Sequence, residues 1–97
     1  MKPFTKEEVK SYLATNLKSW TQTETAITRE FKFRNFVDAF SFMTGIALEA
    51  EKMDHHPDWK NVYNQVTISL YTHSAKGITQ LDFDLAKMID ARYKPPQ

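Results

Sequence analysis

The residue pattern predicts an α+β fold, an antiparallel sheet with helices packed on one of its faces. Three observations lead there. Apolar residues recur at helical spacing in three separate segments, and two of those segments open with a capping box. Between them the period drops to two, as strands require. The strand segments also stand in hairpin-like runs, segregated from the helices. The order is helix, two strands, helix, one or two strands, helix. A length of 97 residues suits one domain over residues 1–97.

The first helix starts after Thr5, which can cap it, and Glu8 completes the box. Phe4 and Val9 have the spacing of a hydrophobic staple, and Val9, Tyr12, Leu13 and Leu17 form one apolar stripe. Over residues 19–33, Ile27, Phe31 and Phe33 fall on one side with Arg29 as the break; Thr28, Glu30 and Lys32 fall on the other. Trp20 is assigned to a preceding strand, and Gln22-Thr-Glu-Thr25 to the hairpin turn, although it lacks the usual Asn-Gly or Asp-Gly. Residues 36–53 make the longest helix, capped by Asn35, with Asp38 in its first turn. Its apolar residues fall in two stripes. One holds Phe36, Phe40, Met43, Ala47 and Ala50, and the other Phe42, Ile46 and Met53. Together they exceed the face needed to cover a sheet. The surplus is expected to meet another subunit; cover by the first or last helix is the alternative.

Pro57 bars continuation of the helix, so the residues before it form an exit loop. Val62 and Tyr63 read as a short strand, with Asn64-Gln65 as a turn or a bulge. Val66, Ile68 and Leu70 then alternate with Thr67, Ser69 and Tyr71 in a strand with one buried face. Ser74 to Ile78 is a loop. Thr79 caps the last helix with Asp82 three positions later, Ile78 and Phe83 repeat the staple spacing, and Leu81, Leu85, Met88 and Ile89 give the buried stripe. The tail Lys94-Pro-Pro-Gln97 reads as loose.

Composition narrows the function classes. Hydrophobic residues at 41%, with 13% aromatic, can build a packed core and argue against disorder. Thirteen basic against 12 acidic residues, without a basic run, do not point to nucleic acid. The absence of cysteine excludes disulfides, thiolate metal sites and a thiol nucleophile, and is compatible with a cytoplasmic location. Neither a signal-like start nor an apolar run of the roughly 20 residues needed to span a bilayer is present, so the chain reads as soluble and unprocessed. Only two glycines occur, Gly45 and Gly77, and no phosphate-cradling loop can be built from them.

The chemistry is concentrated in Glu51-Lys-Met-Asp-His-His-Pro-Asp-Trp59. His55 and His56 stand side by side among carboxylates, and the third histidine, His73, follows the Val66–Leu70 strand, which it is expected to terminate. Imidazole both gives and takes protons near neutral pH, and loop positions commonly gather into sites. Two imidazoles suit an elimination: one, as imidazolium, protonates a departing hydroxyl, and the other removes a proton from the adjacent atom. Asp82, at a helix start nine residues beyond His73, can fix the tautomer of a neighbouring imidazole or act as a cap alone. Trp59 can stack on a flat heterocycle or belong to the core. A zinc site built on three histidines is a rival, but adjacent residues in extended backbone point apart, which disfavours His55 and His56 on one ion. Another rival is a non-catalytic interaction module using the long helix. Solvated loop histidines are the bland alternative.

These residues resemble the pterin-4a-carbinolamine dehydratase family. The resemblance rests on the 51–59 segment, Asn61-Val-Tyr-Asn64, Thr72-His73, Gly77-Ile-Thr79 followed by Asp82 and Leu85-Ala86, and Phe40-Ser-Phe-Met-Thr44 in the long helix. It covers nearly the whole chain. It implies a four-stranded antiparallel sheet with three helices on one face in the order α-β-β-α-β-β-α. The implied reaction is dehydration of 4a-hydroxytetrahydrobiopterin to quinonoid dihydropterin, with neither metal nor redox cofactor, recycling pterin for aromatic amino acid hydroxylases. His55 and His73 match acid/base positions, His56 a pterin-orienting one, and Asp82 and Glu51 supporting acids. Asp54 and the Tyr71, Thr72 and Ser74 segment match pterin-contacting positions, and Pro57 and Trp59 lie in the same motif. Homodimers or homotetramers through strand edges and the long helix are implied as well. Two positions depart from animal members: Tyr71 stands where those carry serine, and Ser74 where they carry an acid. Animal members also serve as dimerisation cofactor of a homeodomain transcription factor, which nothing in this sequence indicates.

Overall fold

The computed structural model describes residues 1–96. Its elements are α1 (Lys6–Asn16), β1 (Thr21–Gln22), β2 (Ile27–Lys32), α2 (Phe36–Met53), β3 (Asp58–Val62), β4 (Gln65–Leu70), a 3-10 turn (His73–Ala75) and α3 (Gln80–Arg92). The strands form one antiparallel sheet in the order β1-β2-β4-β3, the α-β-β-α-β-β-α arrangement expected. Register decides which face is buried. Ile27 pairs with Leu70, Arg29 with Ile68 and Phe31 with Val66, while Trp59 lies opposite Ile68 from the other side. These residues therefore share a face, and Ile27, Phe31, Val66, Ile68 and Leu70 on it are fully buried. Val9 and Leu13 of α1, Phe42 and Ile46 of α2, and Phe83, Leu85 and Ile89 of α3 complete the same core.

Arg29 explains its own break in the strand alternation. Its guanidinium donates to Asp90 Oδ1 at 2.7 Å and lies over the rings of Phe31 and Tyr93 at 4.5 and 5.1 Å. Trp20 Nε1–H donates to the same carboxylate oxygen at 2.9 Å. A charge on the core face is thus paired and stacked, as burial requires.

The helix starts form as their caps dictate. Glu8 N–H donates to Thr5 Oγ1, and Thr5 N–H to Glu8 Oε1, the reciprocal box anticipated at α1. Asn35 accepts from Asp38 N–H at 2.8 Å, and α2 runs over the residues its apolar period marks. Its width is divided. Ala39, Phe42, Ile46 and Ala50 face the core, whereas Phe36, Val37, Phe40 and Leu48 stay exposed, Phe40 by 53%. The first predicted stripe therefore splits, with Ala50 inside, Met43 half-buried, and Phe36, Phe40 and Ala47 outside. Neither α1 nor α3 covers this surplus.

Three elements differ from expectation. The strand before β4 is Asp58–Val62, longer and earlier than Val62–Tyr63. It is an edge strand whose outward residues are Asp58, Lys60 and Val62, so its alternation is weakly apolar and hard to read. Tyr63 and Asn64 form the turn, with Tyr63 at a φ of 51°, the positive sign that tight hairpin turns use. In the first hairpin, Gln22 pairs with Ile27 and the turn moves to Thr23–Ala26, closed by Thr23 N–H to Ala26 O at 2.8 Å. Trp20 precedes β1. Finally, β4 stops at Leu70, and His73 opens a 3-10 turn where a strand end was expected. Thr72 and Gly77 exchange backbone hydrogen bonds, which close that loop. Of the tail, Lys94 to Pro96 have no regular structure, and Gln97 lies outside the described residues.

Candidate active site

The paired histidines diverge because of one backbone angle. Asp54 follows α2 in the left-handed region, with φ 52° and ψ 41°. Its N–H donates to Glu51 O, and the N–H of His55 reaches back to Ala50 O, each at 3.1 Å. This pair of bonds is a Schellman ending, in which the left-handed residue reverses the chain. Aspartate tolerates that conformation better than most residues. His55 is consequently folded inward and is 8% exposed, while the side chain of His56 is 58% exposed.

Inward, His55 meets Asp82. Its Nε2 lies 2.6 Å from Asp82 Oδ1, and Asp82 is fully buried. The other carboxylate oxygen, Oδ2, accepts from Thr72 Oγ1 at 2.7 Å and from Thr79 N–H at 2.9 Å. Asp82 therefore does both jobs weighed for it from the sequence. As the third residue of α3 it closes the capping box with Thr79, and it holds an imidazole. Sequence reasoning assigned Thr79 only to the cap, whereas its N–H also donates to the carboxylate oxygen that faces away from His55.

The remaining motif residues lie close in the chain to His55 or to Thr72. His56 Nε2 contacts Glu51 Oε1 at 2.8 Å, an exposed pair one turn of chain away. His73 is exposed and meets the ring of Tyr71 edge-on, with centroids 4.9 Å apart. It follows Thr72 directly, so its backbone lies one residue from the hydroxyl that binds Asp82. Strands β3 and β4 pair up to Asp58 and Ser69. His55–Pro57 enter β3, and Tyr71–His73 leave β4, at that same end of the sheet. Ser74 is exposed and Tyr71 half-buried. Trp59 sits on the core face of β3 and packs partly buried against the core. Thr72 is 4% exposed, with its hydroxyl turned to Asp82 and Thr79. A signal for that was present: continuing the Val66, Ile68, Leu70 alternation one step puts Thr72 on the buried side.

Hydrogen-bond logic assigns the proton between His55 and Asp82. A carboxylate only accepts, and Thr79 N–H can only donate. With Oδ2 taking two donors, Asp82 is suited to accept at Oδ1 too, and His55 then carries its hydrogen on Nε2. The lone pair of Nδ1 is left available. Among the described residues, no three His, Asp or Glu side chains are arranged to hold a metal ion. A concavity of about 540 Å³ lies away from the histidines, between Phe33, Phe42 and the tail at Pro95. Two of its cations already have partners, Arg34 with Asp38 at 3.2 Å and Arg92 with Glu49 at 3.7 Å. Size alone does not make it the reactive site.

The comparisons with known proteins converge. Residues 2–92 match the family model described as pterin 4 alpha carbinolamine dehydratase. A Prochlorococcus marinus protein named as a candidate member of that enzyme class is 49% identical over 85 residues, covering 88% of each chain. A Mesorhizobium japonicum protein named likewise is 60% identical over 65 residues, covering 67% of this chain and 66% of its own. Among solved structures, the transcriptional coactivator/pterin dehydratase from Brucella melitensis superposes with a TM-score of 0.91 at 43% identity, covering 96% of this chain and all of that one.

Proposed function

The chain belongs to the pterin-4a-carbinolamine dehydratase family, and on that premise we propose that it dehydrates 4a-hydroxytetrahydrobiopterin to quinonoid dihydropterin by histidine acid/base catalysis. The observation that carries the reading is the buried His55–Asp82 pair at 2.6 Å, at the sheet end where His73 also emerges. A carbinolamine bears hydroxyl and nitrogen on one carbon. Losing the hydroxyl as water while the nitrogen gives up its proton leaves a C=N bond, with no change of oxidation state. One group must therefore protonate the leaving oxygen and another must take the nitrogen proton.

His55 suits the base. Its Nδ1 lone pair accepts the proton, and the Asp82 carboxylate stabilises the imidazolium that forms, as in other carboxylate–imidazole pairs. His73 suits the acid, since its exposure lets water return the proton after each turnover. His56, steadied by Glu51, orients the pterin, and Asp54, Pro57, Tyr71 and Ser74 border it. Each correctly placed acid or base contributes about 10²–10⁴ in rate. Carbinolamine generated enzymatically and followed by stopped-flow absorbance tests this. The purified protein is expected to accelerate formation of quinonoid dihydropterin; a rate equal to buffer alone would refute it. Recycling of pterin for an aromatic amino acid hydroxylase follows from this reading.

A homo-oligomer completes the proposal. Phe36, Phe40 and Leu48 recur four and eight residues apart along one side of α2, and with Val37 they form an exposed apolar strip. A second copy of this chain is the partner we assign to it. Among the described residues no helix is long and apolar enough to cross a membrane.

A further inference from the structure

Thr72 takes no part in the proton transfers above, yet its side chain is buried and joined to them. We propose that Thr72 is a positioning residue whose hydroxyl holds Asp82 in the orientation that presents Oδ1 to His55, and so fixes which nitrogen of His55 carries the proton. The inference rests on the dehydratase reading and deepens it.

The argument is one of donors and acceptors. Thr72 Oγ1 lies 2.7 Å from Asp82 Oδ2 and 2.9 Å from Thr79 Oγ1. A hydroxyl has a single proton. With that proton directed to Asp82, the Thr79 hydroxyl is the donor to Thr72. Thr79 Oγ1 in turn accepts Leu81 N–H at 3.3 Å as part of the cap. The row of hydroxyls therefore points one way, toward the carboxylate. Asp82 Oδ2 receives Thr72 O–H and Thr79 N–H, Oδ1 faces His55, and no side-chain oxygen or nitrogen buried at the site lacks a partner among the described residues. Of the two neutral tautomers of His55 only the Nε2–H form fits that arrangement, and its Nδ1 lone pair is left for the substrate.

Thr72 also ties down the second histidine. Its backbone N–H donates to Gly77 O at 3.0 Å, Gly77 N–H returns a bond at 3.3 Å, and His73 is the next residue. One side chain thus links His55 through Asp82 to the loop that carries His73. Valine keeps the shape of threonine and removes the hydroxyl, while serine keeps the hydroxyl and removes a methyl.

The test is ¹⁵N NMR of histidine-labelled full-length protein, as wild type, Thr72→Val and Thr72→Ser, with dehydration kinetics alongside. The wild type is expected to show His55 as a single Nε2–H tautomer. In Thr72→Val the tautomers should mix, with kcat falling about 10-fold or more at unchanged KM, because misplacement of a catalytic group by about 1 Å can cost 10²-fold. Thr72→Ser should restore both. A wild-type His55 protonated on Nδ1 overturns the proposal without any variant, which keeps it decidable if Thr72→Val does not fold. A folded Thr72→Val with the wild-type tautomer and kcat overturns it as well. The tautomer readout needs no substrate. A protein without dehydratase activity would therefore sink the function proposed above while the spectrum still decides the role of Thr72.

Discussion

A single residue, Asp54, decides where the two neighbouring imidazoles go. Its left-handed φ of 52° turns His55 under the end of α2 and leaves His56 outside. Placing an L-residue in that region costs roughly 1–2 kcal/mol, least for Gly, Asn and Asp. Asp54→Gly is therefore expected to unfold in urea at nearly the wild-type midpoint. Asp54→Val should be less stable by about 1–2 kcal/mol, because a β-branched residue is worst suited to the left-handed region. If the Asp54 carboxylate also touches the pterin, the stable glycine variant will lose substrate affinity without losing stability, which separates the two roles. The sequence makes the chemical cluster legible, since all three histidines and Asp82 stand in one segment. It does not make the divergence legible in the right terms. Extended backbone is enough to expect His55 and His56 to point apart, but the observed cause is a helix ending whose left-handed residue is not glycine. Thr72 was open to view through the β4 alternation. The family resemblance marks it as a pterin contact instead, and its buried hydroxyl bond to Asp82 depends on α3, a partner no local pattern shows.

At the scale of elements, capping carries most of what could be foreseen. Both capping boxes and the bounds of α2 follow from side chains that bond to nearby amides, so a short window of sequence contains the whole cause. The edge strand β3 and the 3-10 turn at His73 depend on partners far along the chain. β3 is a strand because Trp59 and Asn61 register against Ile68 and Val66, and no local pattern announces that. The two boxes also differ in what they do. Thr5 and Glu8 cap α1 at the surface, and their side chains bond neither the histidines nor Asp82. Thr5→Ala should lower the unfolding free energy by about 1 kcal/mol and leave dehydration unchanged. Denaturant unfolding and the stopped-flow assay, run on the same preparation, check both halves of that expectation. The box at α3 has no such separation, because its acid is the partner of His55.

The whole molecule leaves an apolar strip on α2 that its own helices do not cover. Phe36, Val37, Phe40 and Leu48 stay exposed although the rest of the helix is packed against the sheet. The width of the apolar pattern in the sequence points to such a surplus; that the first stripe splits, with Ala50 inside and Phe36 and Phe40 outside, follows only from the packing. Burial of apolar surface returns about 25 cal/mol per Å², so such a strip favours self-association once a partner face is available. Wild-type protein at micromolar concentration is expected to sediment as a dimer or larger, and Phe40→Glu to shift it toward monomer while the circular dichroism spectrum is retained. A wild type that sediments as a monomer would contradict the assignment.

The central claim is that His55, backed by Asp82, and His73 share the proton traffic of one elimination. Single-turnover dehydration of enzymatically generated carbinolamine by the His55→Ala/His73→Ala double variant, set against wild type and buffer, tests it most directly. The account predicts a folded double variant whose rate falls by about 10⁴ or down to the buffer rate, whichever is reached first. A folded double variant that turns over as fast as wild type would contradict it.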